Sequence, residues 1–120
     1  MSQLPLANYL PSVSALAYGC MGLGGGWDDK PIAGAQIDQA NECVNTALEA
    51  GINFFDHADI YTLGKAEQVF GEVLAQRPEL RKRIYIQTKC GIRFADSHGP
   101  KRYDLSADWI RRSVEGSLRR

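Results

Sequence analysis

The chain has 120 residues, 44 % of them apolar, 23 % charged and 9 % aromatic, proportions that exclude a disordered tail and fit one small globular domain. Fourteen Lys and Arg balance fourteen Asp and Glu, so no net charge draws the chain to nucleic acid or to an anionic membrane. No apolar run approaches the roughly 20 residues of a spanning helix, and no basic start precedes an apolar stretch at the N-terminus; a cytoplasmic setting is expected.

Residues 1–14, with Pro5 and Pro11, read as an irregular or hairpin-like lead-in. Ser14 to Gly19 reads as a short strand running into CMGLGGGWDDKP (20–31), a loop whose glycines allow positive φ or close approach to a ligand. The spacing of Ala40, Val44, Ala47 and Leu48 predicts a helix over Asp38–Ala50, stopped by Gly51 in the left-handed position. Ile52–Asp56 (INFFD) is a second strand. A second helix is expected from about Lys65 to Gln76, with Ala66, Val69, Phe70, Val73 and Leu74 inward and Pro78 ending it. IYIQTK (84–89) is a third strand. Residues 91–105 read as a polar loop, and Ser106 as the cap of a third helix bearing Ile110, Val114 and Leu118.

Strands alternate with helices at the length of one βα unit, which implies a parallel sheet, either doubly wound or closed into an eight-fold barrel. In both architectures chemistry sits at the carboxyl ends of strands. Three such ends are visible: Gly19–Met21, Asp56–Tyr61 and Lys89–Cys90. The three cysteines, Cys20, Cys43 and Cys90, form no CxxC pair and read as buried reduced thiols.

Neighbouring parallel strands lie about 4.8 Å apart, so Asp56 and Lys89 can meet at one height. An ammonium held there favours the ionised form of a nearby phenol, which would lower the pKa of Tyr61 and suit it to protonate a carbonyl oxygen. Each residue also has a plain reading: a strand-ending Asp56, a surface Lys89, an amphipathic loop Tyr61. Their coincidence at equivalent βα positions favours the chemical one.

GINFFDHADIY (51–61), AEQVFGEVL (66–74) and IQTKCGI (86–92) resemble the N-terminal third of an aldo-keto reductase. LAYGCMGLG (16–24) is similar to that family's first-strand segment, and SADWIRRSVEGSLRR (106–120) to its third helix. The combination Asp-x4-Tyr, then Glu67-x3-Gly71, then a strand-end Thr88-Lys89 carries the resemblance. It implies an α/β fold, a partial (β/α)8 TIM barrel made of the first three βα units. It also implies hydride transfer from NADPH to an aldehyde or ketone, a small-molecule carbonyl substrate.

By resemblance Asp56, Tyr61 and Lys89 are catalytic, with Tyr61 the proton donor. Gly19, Cys20, Met21 and Asp56 lie at the nicotinamide and its ribose. The family's catalytic His, at the end of the fourth strand, has no match: His57 is expected to position or pack, and His98 to be solvated. The family's adenosine-phosphate segments have no match either. Residues 1–120 are therefore expected to be the N-terminal part of one barrel domain, inactive alone because three strands complete no barrel layer.

Two other functions compete. His57 and Asp59 form an H-x-D pair suited to Zn²⁺ or Mn²⁺ in a metal-dependent barrel hydrolase, although no second ligand cluster stands at the other strand ends. A non-catalytic, nicotinamide-binding regulatory subunit is the other. The glycine loop lacks the GxxxxGK[ST] pattern and reads as a border of the pocket. Trp27 either lines the carbonyl cleft or covers the barrel rim.

Overall fold

A computed structural model describes residues 3–4, 10 and 12–120. Gln3–Leu4 (β1) and Val13–Ser14 (β2) pair antiparallel, which gives the lead-in its hairpin character. Pro5 and Pro11 lie outside the described residues. The sheet that carries the chemistry comprises Tyr18–Gly19 (β3), Phe54–Asp56 (β4) and Tyr85–Gln87 (β5). It is wholly parallel, in the order β3-β4-β5. Helix α1 (Gly34–Glu49) follows β3, and α2 (Lys65–Gln76) follows β4.

Two boundaries differ from expectation. The Ser14–Gly19 strand is broken by a bend at residues 15–16, so β2 and β3 belong to different sheets. Asn53 fastens β2 beside β4: its Oδ1 accepts from the Ser14 amide at 2.8 Å, and its own amide donates to Ser14 Oγ at 3.0 Å. Helix α1 starts at Gly34 rather than Asp38, because the Gln36 side chain accepts from the Ala33 amide at 2.8 Å and closes the first turn. Gly51 ends the helical segment with φ +79°.

Successive strand residues face opposite sides. Tyr18, Phe55 and Ile86 stand in register on one face, against the helices. Phe55 is fully buried, with ring centroids 5.9 Å from Tyr18 and 5.3 Å from Phe70 of α2. Ala40, Val44 and Ala47 of α1 and Ala66, Val69 and Val73 of α2 complete this core. Leu74, expected among them, is only half-buried at its margin. The other face carries Gly19, Asp56 and Gln87 in register.

The polar loop expected at 91–105 is instead an antiparallel hairpin, Ile92–Arg93 (β6) with Arg102–Tyr103 (β7). Arg93 holds it, bonding Asp96 at 2.7 Å and Asp104 at 2.9 Å while its guanidinium lies 4.2 Å from the Trp109 ring centroid. Helix α3 (Ala107–Arg119) follows, and Ser106 Oγ accepts from the Trp109 amide at its start. Its Ile110, Val114 and Leu118 are exposed. Of the cysteines only Cys20 is buried; Cys43 is half-buried and Cys90 exposed. No helix among the described residues is long and apolar enough to cross a membrane.

The glycine loop is docked. Thr62 Oγ1 donates to the Leu23 carbonyl at 2.7 Å, and Lys65, buried at the start of α2, meets Asp28 at 2.9 Å. At Gly24 φ is +89°, and a Cβ would stand 2.6 Å from the Lys65 carbonyl carbon. Gly24→Ala in the full-length protein should therefore cost about 1–3 kcal/mol of unfolding free energy by denaturant titration. Gly22→Ala should cost far less, since a Cβ there meets nothing within 4 Å.

Candidate active site

The site gathers at the carboxyl ends of β3, β4 and β5. Lys89 lies just beyond β5, where the ladder continues through the His57 amide to the Gln87 carbonyl at 2.8 Å and the Asp59 amide to the Lys89 carbonyl at 3.0 Å. Its side chain turns back over β4. Lys89 Nζ donates to both Asp56 carboxylate oxygens at 2.8 Å and to the His57 carbonyl at 2.7 Å. Burial by itself would lower the Lys89 pKa. Asp56, and after it the neighbouring Tyr61, outweigh it and raise the pKa above the ordinary lysine value. Lys89 Nζ also stands 5.0 Å from the centroid of the Tyr61 ring. The structure thus brings Asp56, Tyr61 and Lys89 together.

Tyr61 reaches this point by an unusual path. It opens a short 3₁₀ turn, Tyr61–Gly64, in which Thr62 (φ +47°) and Leu63 (φ +58°) are both left-handed without being glycine. Each such residue costs on the order of 1 kcal/mol or more. The bond from Thr62 to the Leu23 carbonyl holds the turn in place.

The residues expected near a nicotinamide divide. Gly19 is the last residue of β3, in register with Asp56, and a Cβ there would meet nothing within 4 Å. Met21 is 56 % exposed on the same loop. The Cys20 side chain faces the other way, fully buried in the core. Its amide donates to the Asp56 carbonyl at 2.9 Å. Burial, then the charge of Asp56, pushes its thiol up to about 12, so it stays protonated. Alternation after Gly19 sends the Cys20 side chain into the core, so at the strand ends this residue presents its backbone.

Trp27 is 50 % exposed in the glycine loop. His98 is solvent-exposed on the β6–β7 hairpin. His57 and Asp59 turn to different neighbours. The His57 ring is buried edge-on to Phe70, 4.6 Å between centroids, whereas Asp59 lines a cavity with Ser113 and Arg120. Among the described residues no group of three or more His, Cys, Asp or Glu could hold a metal ion.

Three participants were missed by sequence reasoning. Gln87 donates to Asp56 Oδ1 at 2.7 Å; its register opposite Asp56 was the available signal. The His57 carbonyl and the Thr62–Leu23 bond are contacts that no residue type announces.

The sequence profile of the Aldo/keto reductase family matches residues 15–120. The chain belongs to the aldo/keto reductase family. A "6-dehydroglucose reductase" of Novosphingobium aromaticivorans is 46 % identical over 87 residues, which cover 68 % of this chain and 27 % of the relative. "Aldo-keto reductase yakc [NADP(+)]" of Schizosaccharomyces pombe is 31 % identical over 110 residues, covering 91 % of this chain and 30 % of the relative. Among solved structures, the holo form of aldo-keto reductase AKR11C1 from Bacillus halodurans superposes with a TM-score of 0.69 at 35 % identity. It covers 98 % of this chain, which spans 35 % of that structure. The β3-β4-β5 sheet and its helices are accordingly part of an aldo-keto reductase (β/α)8 barrel, and this chain spans roughly a third of such relatives.

His57 gives the site a measurable acid sensitivity. Both ring nitrogens are buried without a hydrogen-bond partner. Burial lowers the His57 pKa from 6.5 to about 4, against the opposing pull of Glu67 and Asp56. Unfolded, the ring takes a proton as pH falls through 6.5; folded, it refuses one until about 4. Stability present above pH 6.5 should therefore be lost towards pH 4, by up to about 1.4 kcal/mol per pH unit. His57→Phe, which keeps a ring against Phe70, should flatten the unfolding free energy over that window, as chemical denaturation at each pH would show.

Proposed function

We propose that this chain belongs to an NADPH-dependent reductase of aldehydes or ketones, within which residues 1–120 are the N-terminal part of a single barrel domain. The observation that carries the reading is the Lys89 ammonium, fixed by both oxygens of Asp56 and facing the Tyr61 ring. The names of the two relatives, one a reductase and one marked NADP(+), support it.

The nicotinamide, when bound, supplies the hydride to the carbonyl carbon. The chain's own residues manage the proton. Tyr61 donates its phenolic proton to the substrate oxygen as negative charge develops there. The adjacent Lys89 ammonium stabilises the phenolate that remains, and Asp56 keeps that ammonium charged and in place. Gly19, bare of a side chain, leaves open space at the strand ends beside Asp56, which fits a flat ring; Met21 and the Cys20 backbone border it. A small carbonyl compound is the substrate class, and neither nucleic acid nor membrane is part of the proposal. We place the protein in the cytoplasm.

Asp56 and Lys89 keep side-chain exposures of 29 % and 45 % within these residues, and charge stabilisation weakens in water. These 120 residues alone are accordingly expected to turn over little or no carbonyl substrate. In the full-length protein, Tyr61→Phe should lower kcat by about 100-fold or more. Lys89→Met, which keeps the stem and loses the charge, should do likewise. Both should leave NADPH affinity nearly intact by fluorescence titration. Wild-type turnover in Tyr61→Phe, followed by NADPH absorbance with a panel of aldehydes, would remove the phenol from its role.

A further inference from the structure

The Glu67-x3-Gly71 spacing and Thr88 have no part in the proton path, yet the structure joins them directly behind it. Thr88 Oγ1 donates to Glu67 Oε1 at 2.7 Å. Glu67 lies in the first turn of α2, its side chain only 7 % exposed, and also accepts from Ser117 Oγ at 3.0 Å and Arg120 Nε at 3.3 Å. Gly71 lies one turn further along α2, and a Cβ there would collide with the backbone of Arg120. The missing side chain lets the end of α3 approach α2 closely enough for those bonds.

Thr88 immediately precedes Lys89. The carbonyls of Gln87 and Lys89 are held by amides of the β4 extension. By alternation, the Thr88 backbone points the opposite way, to the open edge of β5. No ladder bond to β4 therefore fixes Thr88, and its hydroxyl supplies the hold. Pulling the Thr88 side chain onto α2 sets the direction in which Lys89 leaves the strand on the opposite face, towards Asp56.

Resting on the reductase reading above, we propose that Glu67, acting through the Thr88 hydroxyl, is a positioning residue that aims Lys89 at Asp56 and Tyr61. The buried carboxylate is a fixed acceptor on a helix, so the strut is rigid at its anchored end. Small displacements of a reacting constellation cost rate far more than they cost fold stability.

The test uses the full-length protein and Thr88→Val, which keeps the shape and removes the donor. Its kcat/KM should fall about 10- to 100-fold, with the loss in kcat and with NADPH affinity unchanged. The alkaline limb of the kcat/KM profile should move to lower pH as Lys89 loosens from Asp56. Thr88→Ser, which restores the hydroxyl, should recover rate and profile. An NMR titration of the Lys89 side chain, assigned with Lys89→Met, reads the same displacement without turnover: the midpoint should fall in Thr88→Val and return in Thr88→Ser.

Wild-type kcat, pH profile and Lys89 titration in Thr88→Val, with only a lowered melting temperature, would overturn the proposal and leave the bond a structural one. If Thr88→Val does not fold, Glu67→Gln, which weakens the acceptor at constant volume, must show the same directions or the proposal fails. A wild-type protein that oxidises no NADPH would sink the functional reading, while the Lys89 titration would still decide the strut.

Discussion

The two-residue alternation of a parallel strand is the constraint on which this structure turns. Along β4, Phe55 and His57 point to the helices while Phe54 and Asp56 point away; β5 repeats the division with Ile86 and Thr88 against Gln87 and Lys89. The first set is aromatic or apolar enough to bury against α1 and α2, where Phe55 and Phe70 meet at 5.3 Å. The second, Phe54 apart, is polar, and Asp56, Gln87 and Lys89 gather at one end. A shift of one residue in register would bury Asp56 and Lys89 against the helices and expose Phe55. The apolar core and the charged cluster are thus two outcomes of one registration, and hydrophobic burial of one face supplies the free energy that holds the other in place.

Within that frame, the position of the Lys89 ammonium is over-determined. Three oxygens on β4 and its extension receive it. Glu67 and Thr88 bear on it from the reverse face, and the Tyr61 ring lies beside it. Holding a charge at a partly wet sheet edge costs desolvation, which the Asp56 carboxylate and the His57 carbonyl offset. Membership of the aldo/keto reductase family rests on the match over residues 15–120; the account of what those side chains do rests on this geometry.

Much of this was legible in the sequence, for reasons that also mark the limit. Helix α2 was read with its ends intact because its apolar residues recur at the helical period and Pro78 stops it. The meeting of Asp56 with Lys89 was readable from strand spacing alone. The β6–β7 hairpin was not: each of its strands has two residues, too few to show alternation, and Arg93 rather than apolar burial stabilises it. The start of α1 was misplaced because a glutamine three residues on, not a Ser or Asp, closes its first turn. Cysteine spacing says nothing about side-chain direction, so Cys20 and Cys90 read alike, although one is fully buried and the other exposed. The anchoring of the glycine loop by Thr62 and Lys65 joins residues nearly forty positions apart, and nothing local announces it.

The pair of left-handed residues after Tyr61 has a consequence for how the phenol is delivered. Two side-chain-bearing residues held in succession at positive φ leave the turn few neighbouring conformations to visit. The conformational entropy of aiming the ring is therefore surrendered once, while the chain collapses, and not again at every catalytic cycle. A looser turn, with glycine in both places, would relieve the torsional cost and hand that entropy loss back to the encounter with substrate.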